Sequence, residues 1–320
     1  QFYVDNNELL PTDPWPAGGT DIGENTVIGP GDEPLGEGER LRLRMTLRVL
    51  NATLPTSTKA FKLQYASLTS TCTAVSESSW QTLGNSASST IWRGYSATGT
   101  TDGTVLGSNP PLGGELKTSS ADVPGTLEEE NDSEANPFAV PEGDEIEYDW
   151  YIEQNGANAE TYYCFRMIES DGTLLSSYLP YPQVRTASFT PRTQDWRWFS
   201  DEYNETPTSS LAEYNTAPVD IPSSSTLALR ITVAELKNIA RDDVRFKVQY
   251  SEYANFAVPI DVVATSTCHA SSTWCYANGA GVDNAVVSST TLQDTDICTL
   301  GVGDGCGTHN ESPSTLTGYR

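Results

Sequence analysis

The chain repeats itself. LRLRMTLRV (41–49) matches LALRITVAE (227–235), and AFKLQYAS (60–67) matches RFKVQYSE (245–252) at nearly the same offset. Upstream, QFYVDNNELLPTDP (1–14) resembles RWFSDEYNETPTSS (197–210), so that Tyr3 falls on Phe199, Asp5 on Asp201 and Pro11 on Pro207. TIWRGY (90–95) answers to STWCYA (272–277), and the Cys72 region to the Cys268 region. A period of roughly 185 to 195 residues is too long for a solenoid repeat and suits tandem domains. The expected division is 1–190 and 191–320.

Within each copy the hydrophobic period is two. Leu41, Leu43, Met45, Leu47 and Val49 alternate with Arg42, Arg44, Thr46 and Arg48, which predicts a strand with one row in a core and the charged row in solvent. Phe61, Leu63 and Tyr65 repeat the pattern, as do Ile146, Tyr148, Trp150 and Ile152 against outward Glu147, Asp149 and Tyr151. The stretch TYYCFRMIESDG (161–172) sends Tyr163, Phe165 and Met167 inward and ends in a hairpin turn at Asp171-Gly172. Many short strands broken by Gly, Pro, Asn and Ser turns give an all-β class, with each copy an antiparallel β-sandwich.

The TYYCFRM strand with its following Asp-Gly turn resembles the penultimate strand of immunoglobulin-like and fibronectin-type sandwiches. The paired motifs as a set look like the tandem β-sandwich repeats of prokaryotic cell-surface or extracellular fibre proteins. The resemblance implies two tandem immunoglobulin-like domains and a structural role outside the cell.

THNESPSTL (308–316) is the last segment of the second copy with a match, opposite GTLEEENDS (125–133). The expectation is therefore an incomplete second sandwich lacking its last strands. Leaving five or six large apolar side chains without cover forfeits on the order of 10 kcal/mol, comparable with the whole net stability of a domain. Such a unit presents an unpaired edge beside an apolar groove. The function expected is polymerisation into an extracellular filament: a homopolymer, head to tail, by strand complementation between neighbouring subunits. Trp150, Tyr163, Phe165 and Met167 are assigned to the first core, and Phe246, Val248 and Tyr250 to the groove that a neighbour covers. The donor is either the N-terminal stretch carrying Phe2, Tyr3 and Val4, or the 145–185 strands by swapping. The alternative is a glycan-binding adhesin or surface-layer module of a longer tandem-repeat chain, with Trp92, Tyr95, Trp196 and Trp198 as aromatic platforms or as core.

With 18 Lys and Arg against 43 Asp and Glu, a formal charge of −25 repels nucleic acid and anionic membrane surfaces. No apolar stretch is long enough to insert in a membrane. The six cysteines point to an oxidising, extracellular setting. Cys72 and Cys164 are expected to pair; Cys268, Cys275, Cys298 and Cys306 admit three pairings, of which 268–275 with 298–306 is the local one. Glu128, Glu130, Asp132, Glu142 and Asp144 crowd one loop region, which is either a solvated acidic loop or a structural calcium site. Asn51, Asn131, Asn204 and Asn310 each open an N-x-Ser/Thr sequence, a pattern that chance also supplies in a chain this rich in Ser and Thr. No nucleophile and base are paired around the two histidines, so no enzymatic activity is expected and no catalytic residue or cofactor is assigned.

Overall fold

A computed structural model describes residues 1–5, 8–9, 11–107, 123–203, 207–237, 239, 246–264, 273–285, 287 and 307–311. The protein is all-β with antiparallel sheets, and it divides into two compact units, Gln1–Ser188 with Lys237–Ile239, and Phe189–Leu236 with Ala240–Arg320. No helix among the described residues is long and apolar enough to cross a membrane.

Unit 1 holds β1 (Phe2–Tyr3), β2 (Arg40–Arg48), β3 (Phe61–Ser67), β4 (Gln81–Thr82), β5 (Trp92–Arg93), β6 (Val123–Glu128), β7 (Glu145–Gln154), β8 (Tyr162–Glu169) and β9 (Gln183–Arg185). One sheet runs β1-β2-β7-β5, with β6 also on β7; the other runs β4-β3-β8-β9. Thus β7 and β8 are the middle strands of their sheets. The alternating rows of the two sheets face each other and seal one core. Leu41, Leu43, Ile146, Tyr148, Trp150 and Ile152 meet Phe61, Leu63, Tyr65, Tyr163, Phe165 and Met167, all at 2% exposure or less. Edge-to-face ring pairs cross the interface, Phe61 on Tyr148 at 5.3 Å and Trp92 on Phe165 at 5.1 Å.

Three features differ from the sequence reading. First, β6 runs parallel to β7. The approach is possible because residue 125 is glycine: a Cβ there would lie 2.3 Å from the Glu147 carbonyl oxygen. Second, the Asp171-Gly172 turn leads back only as far as one bridge, Ile168 to Leu174, and Leu174 is 44% exposed.

Third, the middle of the row expected in solvent is buried, while Arg48 is exposed as expected. Arg42, Arg44 and Asp149 are 0% exposed and Glu147 3%. Arg42 and Arg44 both bond the Asp149 carboxylate, and Arg44 reaches Glu147 at 3.1 Å. A second layer covers this face. Arg42 donates to the Glu8 and Leu9 carbonyls and lies over the Tyr151 ring, beside a small cluster of Tyr95, Leu106, Leu127 and Tyr151. The charges at the middle of this face are paired internally rather than solvated.

The Cys72–Cys164 bridge forms, across a sequence separation of 92. Tyr163 and Phe165 face the sandwich core, so Cys164 between them faces out, and the disulfide packs with Ala66 and Trp80 on the far side of its sheet. It pins the 72–80 segment to the sandwich rather than joining the two sheets. Arg166 on the same face lies 4.2 Å from the Trp80 ring centroid and bonds Glu77 at 2.7 Å.

Unit 2 holds β10 (Pro191–Ser200), β11 (Leu227–Glu235), β12 (Gln249–Tyr250) and β13 (Ile260–Asp261), in two separate pairs, β10-β11 and β12-β13. Several pairings of unit 1 return at the matching residues. In unit 1 Phe2 sits opposite Leu43 and Tyr3 opposite Arg42; in unit 2 Trp198 sits opposite Leu229 and Phe199 opposite Ala228. The bridge Tyr3 to Pro14 returns as Phe199 to Ser210. Gln64 and Tyr65 pair with Thr82 and Gln81, as Gln249 and Tyr250 do with Asp261 and Ile260. Even the loop against β6 is copied: Leu106 N–H donates to Gly125, and Val287 N–H to Gly307. Likewise Leu127 N–H donates to Thr104, and His309 N–H to Ala285.

Candidate functional site

The duplication defines the site by what unit 1 has and unit 2 does not. Among the described residues, unit 2 repeats the frame from β1 to the glycine of β6 and contains no counterpart of β7, β8 or β9. In unit 1, β7 fills the space between β2 and β5, while β8 completes the other sheet beside β3. By the repeat, the corresponding positions in unit 2 are those of β11 and the Trp274 segment.

Each of these positions is less covered than its twin in unit 1. Trp92 is 0% exposed, wedged against Tyr163 and Phe165 of β8 at 5.3 and 5.1 Å. Its repeat partner Trp274 is 40% exposed, with only a tilted ring contact to Trp198 at 6.1 Å. Leu41 and Leu43 are buried against β7, whereas Leu227 and Leu229 are half-buried and Ile231 is exposed. Phe61, Leu63 and Tyr65 are buried; Phe246, Val248 and Tyr250, the expected groove residues, are half-buried. Gly307 stands where Gly125 admits β7, yet no described atom comes within 4 Å of a Cβ built on it. Unit 2 keeps the glycine that a close strand requires, and none of its described residues forms that strand.

The N-terminal stretch named as a donor packs within its own unit. Phe2 and Tyr3 form β1 on β2 of their own unit, 2% and 8% exposed, and Val4 packs against the same core. Their counterparts Trp198 and Phe199 fill the same place on β11.

The acidic candidates are dispersed. Glu128 is buried in β6, Glu130 accepts from the Ser86 amide and hydroxyl at 2.8 and 2.6 Å, Asp132 is exposed, and Glu142 and Asp144 lie in the turn into β7. No group of three Asp, Glu, His or Cys among the described residues could hold a metal ion. Asn131 is a poor glycan acceptor: its buried amide nitrogen donates to the Leu63 and Leu83 carbonyls at 3.2 and 2.6 Å. Asn51 is exposed, Asn310 is half-buried with its amide on the Thr308 carbonyl, and Asn204 lies outside the described residues. Cys275 is disulfide-bonded; Cys268, Cys298 and Cys306 lie outside the described residues. Trp92 and Tyr95 are sealed in unit 1 and offer no face to a sugar.

Glu128 carries a consequence of its own. Burial holds its carboxyl up at about 8, from an ordinary 4.5, with Asp102, Asp132 and Glu134 pushing the same way and the Thr126 hydroxyl opposing. The folded state thus keeps a proton that the unfolded chain releases. The stability this supplies is fully present below about 4.5 and is lost as pH rises through about 8. Glu128→Gln is expected to remove that slope. Unfolding midpoints of the wild type should fall between pH 5 and 8 relative to the variant, by up to about one power of ten in the unfolding constant per pH unit.

Neither a protein-family model, nor a curated protein, nor a solved structure matches the chain.

Proposed function

We propose that the chain is a structural subunit of an extracellular filament, in which unit 2 is an acceptor frame completed by strands laid in from a neighbouring subunit. The observation that carries the reading is the pair Trp92 and Trp274: one sequence position, sealed by β8 in unit 1 and 40% exposed in unit 2. A donated strand recovers the apolar burial that unit 1 obtains from its own β7 and β8, and backbone ladders on β11 give it register. The contact joins an acceptor surface to a different surface of the next molecule, so it does not close on itself and propagates as an open chain. The disulfides support a place outside the cell, where such bonds persist.

Gly307→Val tests this. The added side chain meets open space in the isolated chain, and its thermal unfolding should match the wild type. In assembly it blocks the approach that Gly125 permits in unit 1, so static light scattering should show large particles for the wild type and none for the variant. A wild type that stays monomeric at every concentration, or a variant that assembles normally, contradicts the reading.

A further inference from the structure

The chain contains Asn-Gly-Ala twice, at 155–157 and at 278–280, and Asn-Gly nowhere else. Glycine after asparagine leaves the backbone nitrogen without a Cβ beside it, so that nitrogen can reach the side-chain carbonyl carbon of the asparagine. The C–N bond that forms closes a cyclic imide and expels the side-chain nitrogen as ammonia. Water then opens the ring at one carbonyl or the other, leaving aspartate or isoaspartate, and the second of these adds a methylene to the backbone. Each product replaces a neutral amide by a carboxylate.

The same three residues meet opposite conditions in the two units. In unit 1 both reacting groups are held. The Asn155 side-chain amide donates to the Thr90 carbonyl at 2.9 Å, its backbone N–H donates to the Ile91 carbonyl at 2.9 Å, and the attacking nitrogen, that of Gly156, donates to Gln154 Oε1 at 2.9 Å. Gln154 and Ala157 on either side are buried. In unit 2 Asn278 is exposed, and neither its side-chain amide nor the Gly279 N–H has a hydrogen-bond partner among the described residues. The first tie comes one residue later, where the Ala280 N–H donates to Asp201 Oδ1 at 2.9 Å.

We infer that Asn278 is a site of spontaneous covalent modification, converting to aspartate and isoaspartate in the folded chain while Asn155 is preserved. A Cβ built on Gly279 would lie 2.8 Å from Asp201 Oδ1 and 3.5 Å from Glu311 Oε1. The new carboxylate thus arrives beside two others, and repulsion among them, together with the lengthened backbone, displaces Ala280 from Asp201. The tie between Asp201 and the 278–280 segment weakens with the age of the molecule.

Incubating the full chain in mildly alkaline buffer and mapping its peptides by mass spectrometry tests this. Because the Asn155 turn reacts only in the fraction of time that it is open, the Asn278 peptide should gain aspartate and isoaspartate at least about tenfold faster. In concentrated guanidinium chloride the two identical tripeptides should react at similar rates. Enzymatic methylation of isoaspartyl groups should label the aged wild type and fall sharply in an Asn278→Gln chain, because the longer side chain cyclises far more slowly. Equal rates in the folded chain, a difference that persists in guanidinium chloride, or labelling undiminished by Asn278→Gln would overturn the inference.

Discussion

Truncating Trp92 to Ala is expected to cost unit 1 about 3–5 kcal/mol, whereas Trp274→Ala should cost the unassembled chain about 1 kcal/mol or less. The two tryptophans occupy the same place in the repeat, so chemistry and local sequence do not separate them. Surroundings do. Trp92 is 0% exposed and touches two rings of β8, so its removal leaves a cavity that close-packed neighbours cannot collapse into. Trp274 is 40% exposed and has less contact to lose. Denaturant unfolding of the full chain, followed separately in peptides from each unit by hydrogen exchange, reads the two costs. Equal costs would mean that Trp274 is as well covered as Trp92.

The second large effect lies on the other face of the same sheet. Asp149→Ala should destabilise unit 1 by about 3–5 kcal/mol, because two guanidinium groups then remain buried with half of their counter-charge removed. Arg42 and Arg44 are both 0% exposed and share the Asp149 carboxylate, with Glu147 reaching only Arg44. Arg42 retains backbone carbonyls of Glu8 and Leu9 and the Tyr151 ring, which soften the loss without supplying charge. An Asp149→Asn chain, which keeps an acceptor and loses the charge, should fall between. Because the site is covered, raising salt should leave the difference nearly unchanged, which a surface ion pair would not.

How much of this was legible in the sequence depends on what a period of two can say. The repeat placed Tyr3 on Phe199, and the structure gives both the same pairing and the same bridge, to Pro14 and to Ser210. The inward rows of β2, β3, β7 and β8 were readable for the same reason, since alternation assigns residues to faces. Alternation does not say what lies beyond a face. Arg42, Arg44, Glu147 and Asp149 therefore read as solvated, when the Glu8 and Leu9 carbonyls and the cluster of Tyr95, Leu106 and Leu127 form a layer on that face. One signal was present: a strand with four arginines, in a chain short of basic residues, facing a strand with acids at the matching positions.

The lower cover of unit 2 was legible only in part. The repeat indicated that partners for Phe246, Val248 and Tyr250 were missing, but a free end made Phe2, Tyr3 and Val4 look like a donor. Their short β1 is already half of a pair that both units make internally. The glycine at 307 could have been matched to the one at 125, but its meaning depends on the close parallel approach of β6 to β7. A crossing of that kind has no local sequence signature.

Hydrogen exchange along β2 and β11 puts the question most directly, because the two strands share a sequence pattern and differ in having β7 on one side. In the unassembled chain β2 should be protected on both edges, and the β11 amides that face the missing strand should exchange rapidly, then slow when the acceptor is filled. Slow exchange throughout β11 in the isolated chain, equal to that of β2, would show that unit 2 is already closed and would contradict the strand-acceptor account.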